Sequence, residues 1–238
     1  MLHISAAQML DAWETSTRAA PRLRSLALLE STSGLDREAL AALPVGHCDA
    51  LLLELRERLF GTRLDCETCC PNCGDRLEFA LSTEALRVAP SGLEREVQRL
   101  QIDGISVSFR AATVADLEAC AGIGAPEQAR QALLGRCIYQ VEPAGATLDA
   151  ALLEAIEQRM AALDPQADLP IELTCPQCAH RWAEPFDIGT FVAREMNGWA
   201  QRVFDDIHVL ATGYGWSERD ILALSPARRR HYVERIAG

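Results

Sequence analysis

Lysine is absent from the 238-residue chain: all 23 basic side chains are arginines. A Walker-A phosphate loop, a Schiff-base nucleophile and a kinase-type centre each need a lysine amine, so those three chemistries are excluded. No stretch approaches the roughly eighteen consecutive apolar residues that mark a membrane helix, and mean hydropathy is −0.01. No membrane span is expected. The opening residues, MLHISAAQML, lack the basic start and long apolar run of a secretory signal, so a cytoplasmic chain is expected. Positive charge is in deficit: 34 acidic residues leave a net charge of −11. A non-specific hold on nucleic acid needs a basic surface, and this balance opposes it.

Catalytic patterns are also missing. There is no G-x-S-x-G elbow. His47 and Cys48 are adjacent, which does not make a nucleophile–base pair. The acidic pairs Asp205-Asp206 and Glu218/Asp220 have no convergent histidine and read as solvated faces. No catalytic residues, no small-molecule substrate and no enzymatic activity are expected.

What the chain does have is nine cysteines, at 48, 66, 69, 70, 73, 120, 137, 175 and 178. In an unexported chain they favour thiols or metal over disulfides. One local design occurs twice: Cys70-Pro-Asn-Cys73-Gly, and Cys175-Pro-Gln-Cys178-Ala. Two residues between cysteines let one turn offer both sulfurs to one ion, and zinc prefers four thiolates in a tetrahedron. Cys70, Cys73, Cys175 and Cys178 are therefore expected to form a structural zinc site. A closed set of four thiolates has no open position for catalysis. Cys66 and Cys69 form an overlapping C-x-x-C; they read as spare thiols and are the alternates to the ligand set. Cys48, Cys120 and Cys137 read as small core residues, and His180 as a surface histidine beside its knuckle. Thiol oxidoreduction is the rival for Cys-Pro-x-Cys, but such motifs sit where a strand meets a helix N-terminus. Here strand-like sequence follows each knuckle.

The expected fold is α+β and mostly helical, with a split zinc ribbon of short β-hairpins between helical N- and C-terminal regions. The expected regions are 1–62 (helical), 63–188 (ribbon with a helical insertion at about 113–165) and 189–238 (helical). Ser5 caps a first helix, a second runs from about Arg18 to Glu30, and Ser31-Thr-Ser-Gly34 reads as a turn. Leu35–Leu43 and Asp49–Phe60 follow, with Gly61 as the stop. Residues 66–74 read as a turn-rich run and Arg76–Leu81 as a strand. Asp103-Gly104 joins Arg99–Ile102 to Ile105–Arg110 in a type I′ hairpin. Thr113 caps Val114–Cys120; Pro126–Ile138 and Leu148–Leu163 read as helices. A strand–knuckle–strand unit spans 169–188. Thr190 opens a long helix to about Thr212, whose Trp199 stripe reads as packing. Ser217 and Ser225-Pro226 start two more helices.

The last fifty residues carry the string Phe186-Asp-Ile-Gly-Thr-Phe, then Asp206-Ile-His-Val-Leu-Ala-Thr-Gly-Tyr-Gly-Trp-Ser-Glu-Arg-Asp, through to Ser-Pro-Ala-Arg-Arg-Arg-His-Tyr232. With the two Cys-Pro-x-Cys knuckles and Leu43-Pro-Val-Gly-His-Cys-Asp, this resembles the baseplate-hub protein family of T-even-like myophages and related contractile injection systems. The extra Cys66/Cys69 pair departs from that pattern. The resemblance implies a non-enzymatic structural or assembly role in phage tail assembly, with other baseplate-hub, spike or tape-measure proteins as partners. It places the chain in the cytoplasm during assembly, or in the particle itself. Trp199, Tyr214, Trp216, Arg228, Arg229 and Arg230 are the expected partner face, since aromatic and arginine side chains dominate binding hot spots. The alternatives from other classes are a zinc-ribbon nucleic-acid module and a C-x-x-C thiol oxidoreductase.

Overall fold

The computed structural model describes residues 4–19, 23–89 and 96–237. The elements begin with α1 (Ala6–Arg18), α2 (Arg24–Ser33), α3 (Arg37–Ala41) and α4 (Val45–Phe60). A hairpin of β1 (Arg63–Cys69) and β2 (Arg76–Ser82) follows, then α5 (Thr83–Leu86). Next come β3 (Gln98–Ile102), β4 (Ile105–Phe109), α6 (Val114–Cys120), α7 (Pro126–Cys137), β5 (Ile138–Glu142) and α8 (Ala150–Leu163). The second hairpin is β6 (Pro170–Thr174) and β7 (Arg181–Pro185), and the helices α9 (Ile188–Tyr214), α10 (Glu218–Leu222) and α11 (Pro226–Ala237) close the chain. The fold is mostly helical α+β, as the sequence pattern predicts.

The chain divides into two compact units, one of Met1–Leu35 with Gly189–Gly238 and one of Asp36–Ile188. In the first, α1 opens with a capping box in which Ser5 and Gln8 satisfy each other's backbone N–H groups. Its Leu10 packs on Ala200 and Val203 of α9. Trp13 meets the Phe204 ring edge-on at 5.4 Å and donates its indole N–H to Asn197 at 3.3 Å. Residues 31–33 are helical rather than a turn: the Ser31 and Thr32 hydroxyls donate back to the carbonyls of Ala27 and Leu28, and Gly34, at φ 77°, is the stop. Of the predicted second helix, residues 20–22 lie outside the described residues. Helix α9 begins at Ile188, two residues before Thr190.

The second unit holds three small sheets. β1 pairs with β2, β6 with β7, and β3, β4 and β5 form a three-stranded antiparallel sheet in that order. Asp103 (φ 49°) and Gly104 (φ 79°) supply the two left-handed residues of the β3–β4 turn. Val107 and Phe109 of β4 are buried with Leu134 of α7 and Leu152, Ile156 and Leu163 of α8, forming one buried cluster of the unit. Two assignments change. Residues 66–69 belong to strand β1, because pairing with β2 (Cys66 opposite Phe79, Cys69 opposite Arg76) extends the ladder to the knuckle itself. Ile138–Glu142 is a strand that leaves α7 directly, its Ile138 and Val141 packing on the core beside β4. Its two core-facing residues are three apart, because the pairing with β4 shifts at an irregularity beside Ser108 and Phe109, so the sequence shows no strand alternation to separate it from a helix end.

The loops of β1–β2 and β6–β7 carry the two Cys-Pro-x-Cys knuckles. Helix α4, capped at its end by Gly61, leads into the first hairpin. The second follows α8 through a one-turn 3₁₀ segment, Pro165–Ala167.

Candidate metal centre

Each knuckle is built by the same backbone bonds. In the first, the Cys70 N–H donates to the Asp75 carbonyl (2.8 Å) and the Gly74 N–H to the Cys70 carbonyl (2.9 Å). In the second, Cys175 donates to His180 (2.9 Å) and Ala179 to Cys175 (2.9 Å). The tight turn that results aims both sulfurs of a knuckle to one side.

The two knuckles face each other. The Cys70 and Cys178 sulfurs are 3.7 Å apart and those of Cys73 and Cys175 are 3.6 Å apart. All four lie within 4.8 Å of one another. Four thiolates at about 2.3 Å from one ion have tetrahedral edges of about 3.8 Å, so the spacing fits a metal tetrahedron. The four cysteines can hold a metal ion. Cys70 and Cys175 are buried, at 2% and 1% exposure, in a small cluster with Leu77, against which Trp182 packs. Cys73 is exposed and Cys178 half-buried.

Sulfur protonation is uneven. The Asn72 side-chain amide and then the His180 backbone N–H pull the Cys178 thiol down to about 6. The Asp75 backbone N–H acts in the same sense on Cys73, but partial desolvation of the sulfur and its three neighbouring sulfurs outweigh it and push that thiol up to about 12. Four crowded sulfurs cannot all ionise without a cation between them, the situation a metal ion relieves.

Polar contacts outside the sulfurs also join the hairpins. Glu184 on β7 accepts from the Trp182 indole (2.9 Å) and from the Thr68 hydroxyl of β1 (3.4 Å). His180 is not in the group of four; its ring stacks on Trp182 at 5.9 Å. Cys66, half-buried on β1, and Cys69, exposed at its end, lie outside the group of four. Cys48, Cys120 and Cys137 are buried, as expected of core residues. Asn72 and Glu184 had no marker in the sequence, since neither residue type signals a metal-site contact by itself.

The expected partner residues separate into distinct environments. Trp199 packs against the Leu10–Ala200–Val203 cluster. Tyr214 and Trp216 stack at 4.7 Å, and both meet Tyr232 edge-on, at 5.9 and 5.0 Å. Tyr214 is 40% exposed, and Arg228 and Arg230 are exposed. Arg229 is not a surface residue: it is 2% exposed, its Nε 3.5 Å from the Asp206 carboxylate. On helix α11 consecutive residues point about 100° apart, so a run of three arginines cannot occupy one face.

The family described as T4 bacteriophage base plate protein matches residues 26–193, well over half of the chain. The chain belongs to this family. The match includes both knuckles and everything between them, so the base plate family covers the whole split ribbon. It stops early in α9, and the Asp206–Tyr232 string lies beyond it. No curated protein and no solved structure matches the chain. Among the described residues, no helix is long and apolar enough to cross a membrane.

Proposed function

We propose that this base plate family protein is a non-enzymatic structural or assembly subunit of a contractile-tail baseplate hub, stapled by one structural zinc ion. The observation that carries the reading is the tetrahedral spacing of Cys70, Cys73, Cys175 and Cys178 inside a chain of the base plate family. Zinc suits four thiolates, and a set with no open position contributes folding energy rather than catalysis. Cys70 and Cys73 would hold the ion from one hairpin, Cys175 and Cys178 from the other. The knuckles, 102 residues apart, would thereby close the intervening sheet and helices into a loop whose entropic cost grows only slowly with length.

Tyr214, Trp216 and Tyr232 with exposed Arg228 and Arg230 form the partner face of this reading. Arg228 and Tyr232 are four apart on α11 and share a helix face. Rigid aromatics flanked by guanidinium groups have the composition of a binding hot spot. The partners are other hub, spike or tape-measure proteins, met in the cytoplasm during assembly. The test is twofold. Metal analysis of the purified chain should find one zinc per chain. Co-expression with hub, spike and tape-measure proteins should give a complex that Trp216→Ala weakens while the chain stays folded. A chain without metal, or one that joins none of those proteins, would overturn the corresponding half of the reading.

A further inference from the structure

The two knuckles are alike in their backbone but not around their sulfurs. In the first, Asn72 reaches across to the second, its side-chain amide donating to the Cys178 sulfur at 3.5 Å, 106 residues away in the chain. The matching position of the second knuckle is Gln177, exposed and without such a bond among the described residues. Among the described residues, Cys178 is thus the one sulfur of the four that takes a hydrogen bond from a non-cysteine side chain of the opposite hairpin.

Cys73, exposed, and Cys178, half-buried, are the two sulfurs open to water, protons or a competing chelator, because the buried pair Cys70 and Cys175 is shielded by Leu77 and Trp182; of the two open sulfurs, Cys178 is the one that takes the Asn72 N–H. An N–H group aimed at that sulfur draws off part of its charge and fixes its direction; outer contacts of this kind tune how firmly a metal is held. Asn72 is itself exposed, so its amide is not placed there by packing.

We infer that Asn72 is a positioning residue for the metal centre: by holding Cys178 across the hairpin interface it sets how slowly the site releases its ion. This rests on the zinc reading above. It assigns the slow step of release to one sulfur and one amide, and it separates retention of the metal from folding of the ribbon.

The experiment compares the zinc-loaded full chain with Asn72→Leu, which removes the donor at similar size, and Asn72→Gln, which keeps an amide. Zinc transfer to a chromogenic chelator is followed in time, and each chain is also loaded with cobalt(II) to read the sulfur-to-metal charge-transfer band. Asn72→Leu should release zinc on the order of 10–100-fold faster and shift the band, while Asn72→Gln stays within a few-fold of the unaltered chain. Tryptophan fluorescence in saturating zinc should show all three folded. Equal release rates and equal bands in the unaltered chain and Asn72→Leu overturn the inference. So does an equal acceleration by both variants, which would assign the effect to the turn rather than the amide. If the unaltered chain takes up neither zinc nor cobalt, the zinc reading itself fails, an outcome visible before any variant is compared.

Discussion

Gly74 and Ala179 hold the same place in the two knuckles, one residue past the second cysteine, and both take left-handed backbone, at φ 75° and 58°. Each donates its N–H to the carbonyl of its knuckle's first cysteine at 2.9 Å. An L side chain in this region costs about 1–2 kcal/mol, a cost Gly74 avoids and Ala179 bears. Ala179→Gly should therefore raise the stability of the metal-loaded chain by up to about 1 kcal/mol. Gly74→Ala should lower it by about 1 kcal/mol, since a Cβ there would meet nothing within 4 Å and only the backbone term remains. Urea denaturation of the two variants reads both signs.

The nine cysteines should separate cleanly by role. Cys175→Ser removes a buried sulfur of the proposed ligand set and should leave the chain unable to hold metal, with cooperative unfolding lost or strongly weakened. Cys66→Ser and Cys69→Ser, outside the group of four, should keep the metal content of the unaltered chain. Metal analysis and denaturation with and without chelator distinguish the two behaviours. Metal retained by Cys175→Ser at the unaltered level would disprove the ligand set.

Gly46 is needed for a close approach, not for its backbone angle. Its N–H donates to the Asp164 carboxylate at 2.8 Å, and a Cβ would lie 2.2 Å from Asp164 Oδ1 and 2.7 Å from the Ala167 nitrogen. Gly46→Ala should cost about 1–3 kcal/mol through forced displacement of backbone. Gly135, exposed within α7, meets nothing within 4 Å, so Gly135→Ala should stabilise by up to about 1 kcal/mol. Thermal melts should move in opposite directions for the two substitutions.

Two carboxyls give the second unit opposite responses to pH. Burial alone would raise the Asp116 carboxyl, but the Arg110 guanidinium and the Thr113 backbone and hydroxyl donors outweigh it and hold it down to about 2. Its stabilisation is present above the unfolded value of about 4 and is lost as pH falls from there toward 2, an effect of about 1–2 kcal/mol. Asp49 is displaced the other way: burial, then the nearby Asp187 and Asp164 carboxylates, push it up to about 7. The folded state therefore binds more protons than the unfolded one between about 4 and 7, and stability falls as pH rises through that window. Asp116→Asn should flatten the acid limb of the stability–pH curve. Asp49→Asn should raise stability above neutral pH. Urea midpoints across pH 2–8 check both.

Much of the ribbon was legible in the residues. The repeated Cys-Pro-x-Cys, each followed by strand-like sequence, announces two equivalent knuckles, and the ligand set they imply is the set of sulfurs that converge. Helix starts at Ser5, Thr113 and Ser217 could be read because the cap is made by the residue itself and its third neighbour. The Asp103-Gly104 turn was legible because only a few residue types tolerate its angles.

Other features depended on partners far away in the chain. Cys66 and Cys69 repeat the spacing of the converging cysteines, yet strand pairing with β2 leaves them outside the sulfur cluster. β5 is a strand because β4 and the α7–α8 core stand beside it. Arg229 looks like its neighbours Arg228 and Arg230 in the sequence, but helix α11 turns it inward to Asp206. Asn72 acquires its contact only when the second hairpin arrives. Short-range rules act through a residue's own backbone and the next turn of chain, so the sequence by itself determined the caps, the tight turns and the two knuckles that carry the four cysteines. Burial, strand pairing and cross-hairpin hydrogen bonds join residues up to about a hundred positions apart, and only the tertiary structure could decide which of several equivalent-looking side chains takes part.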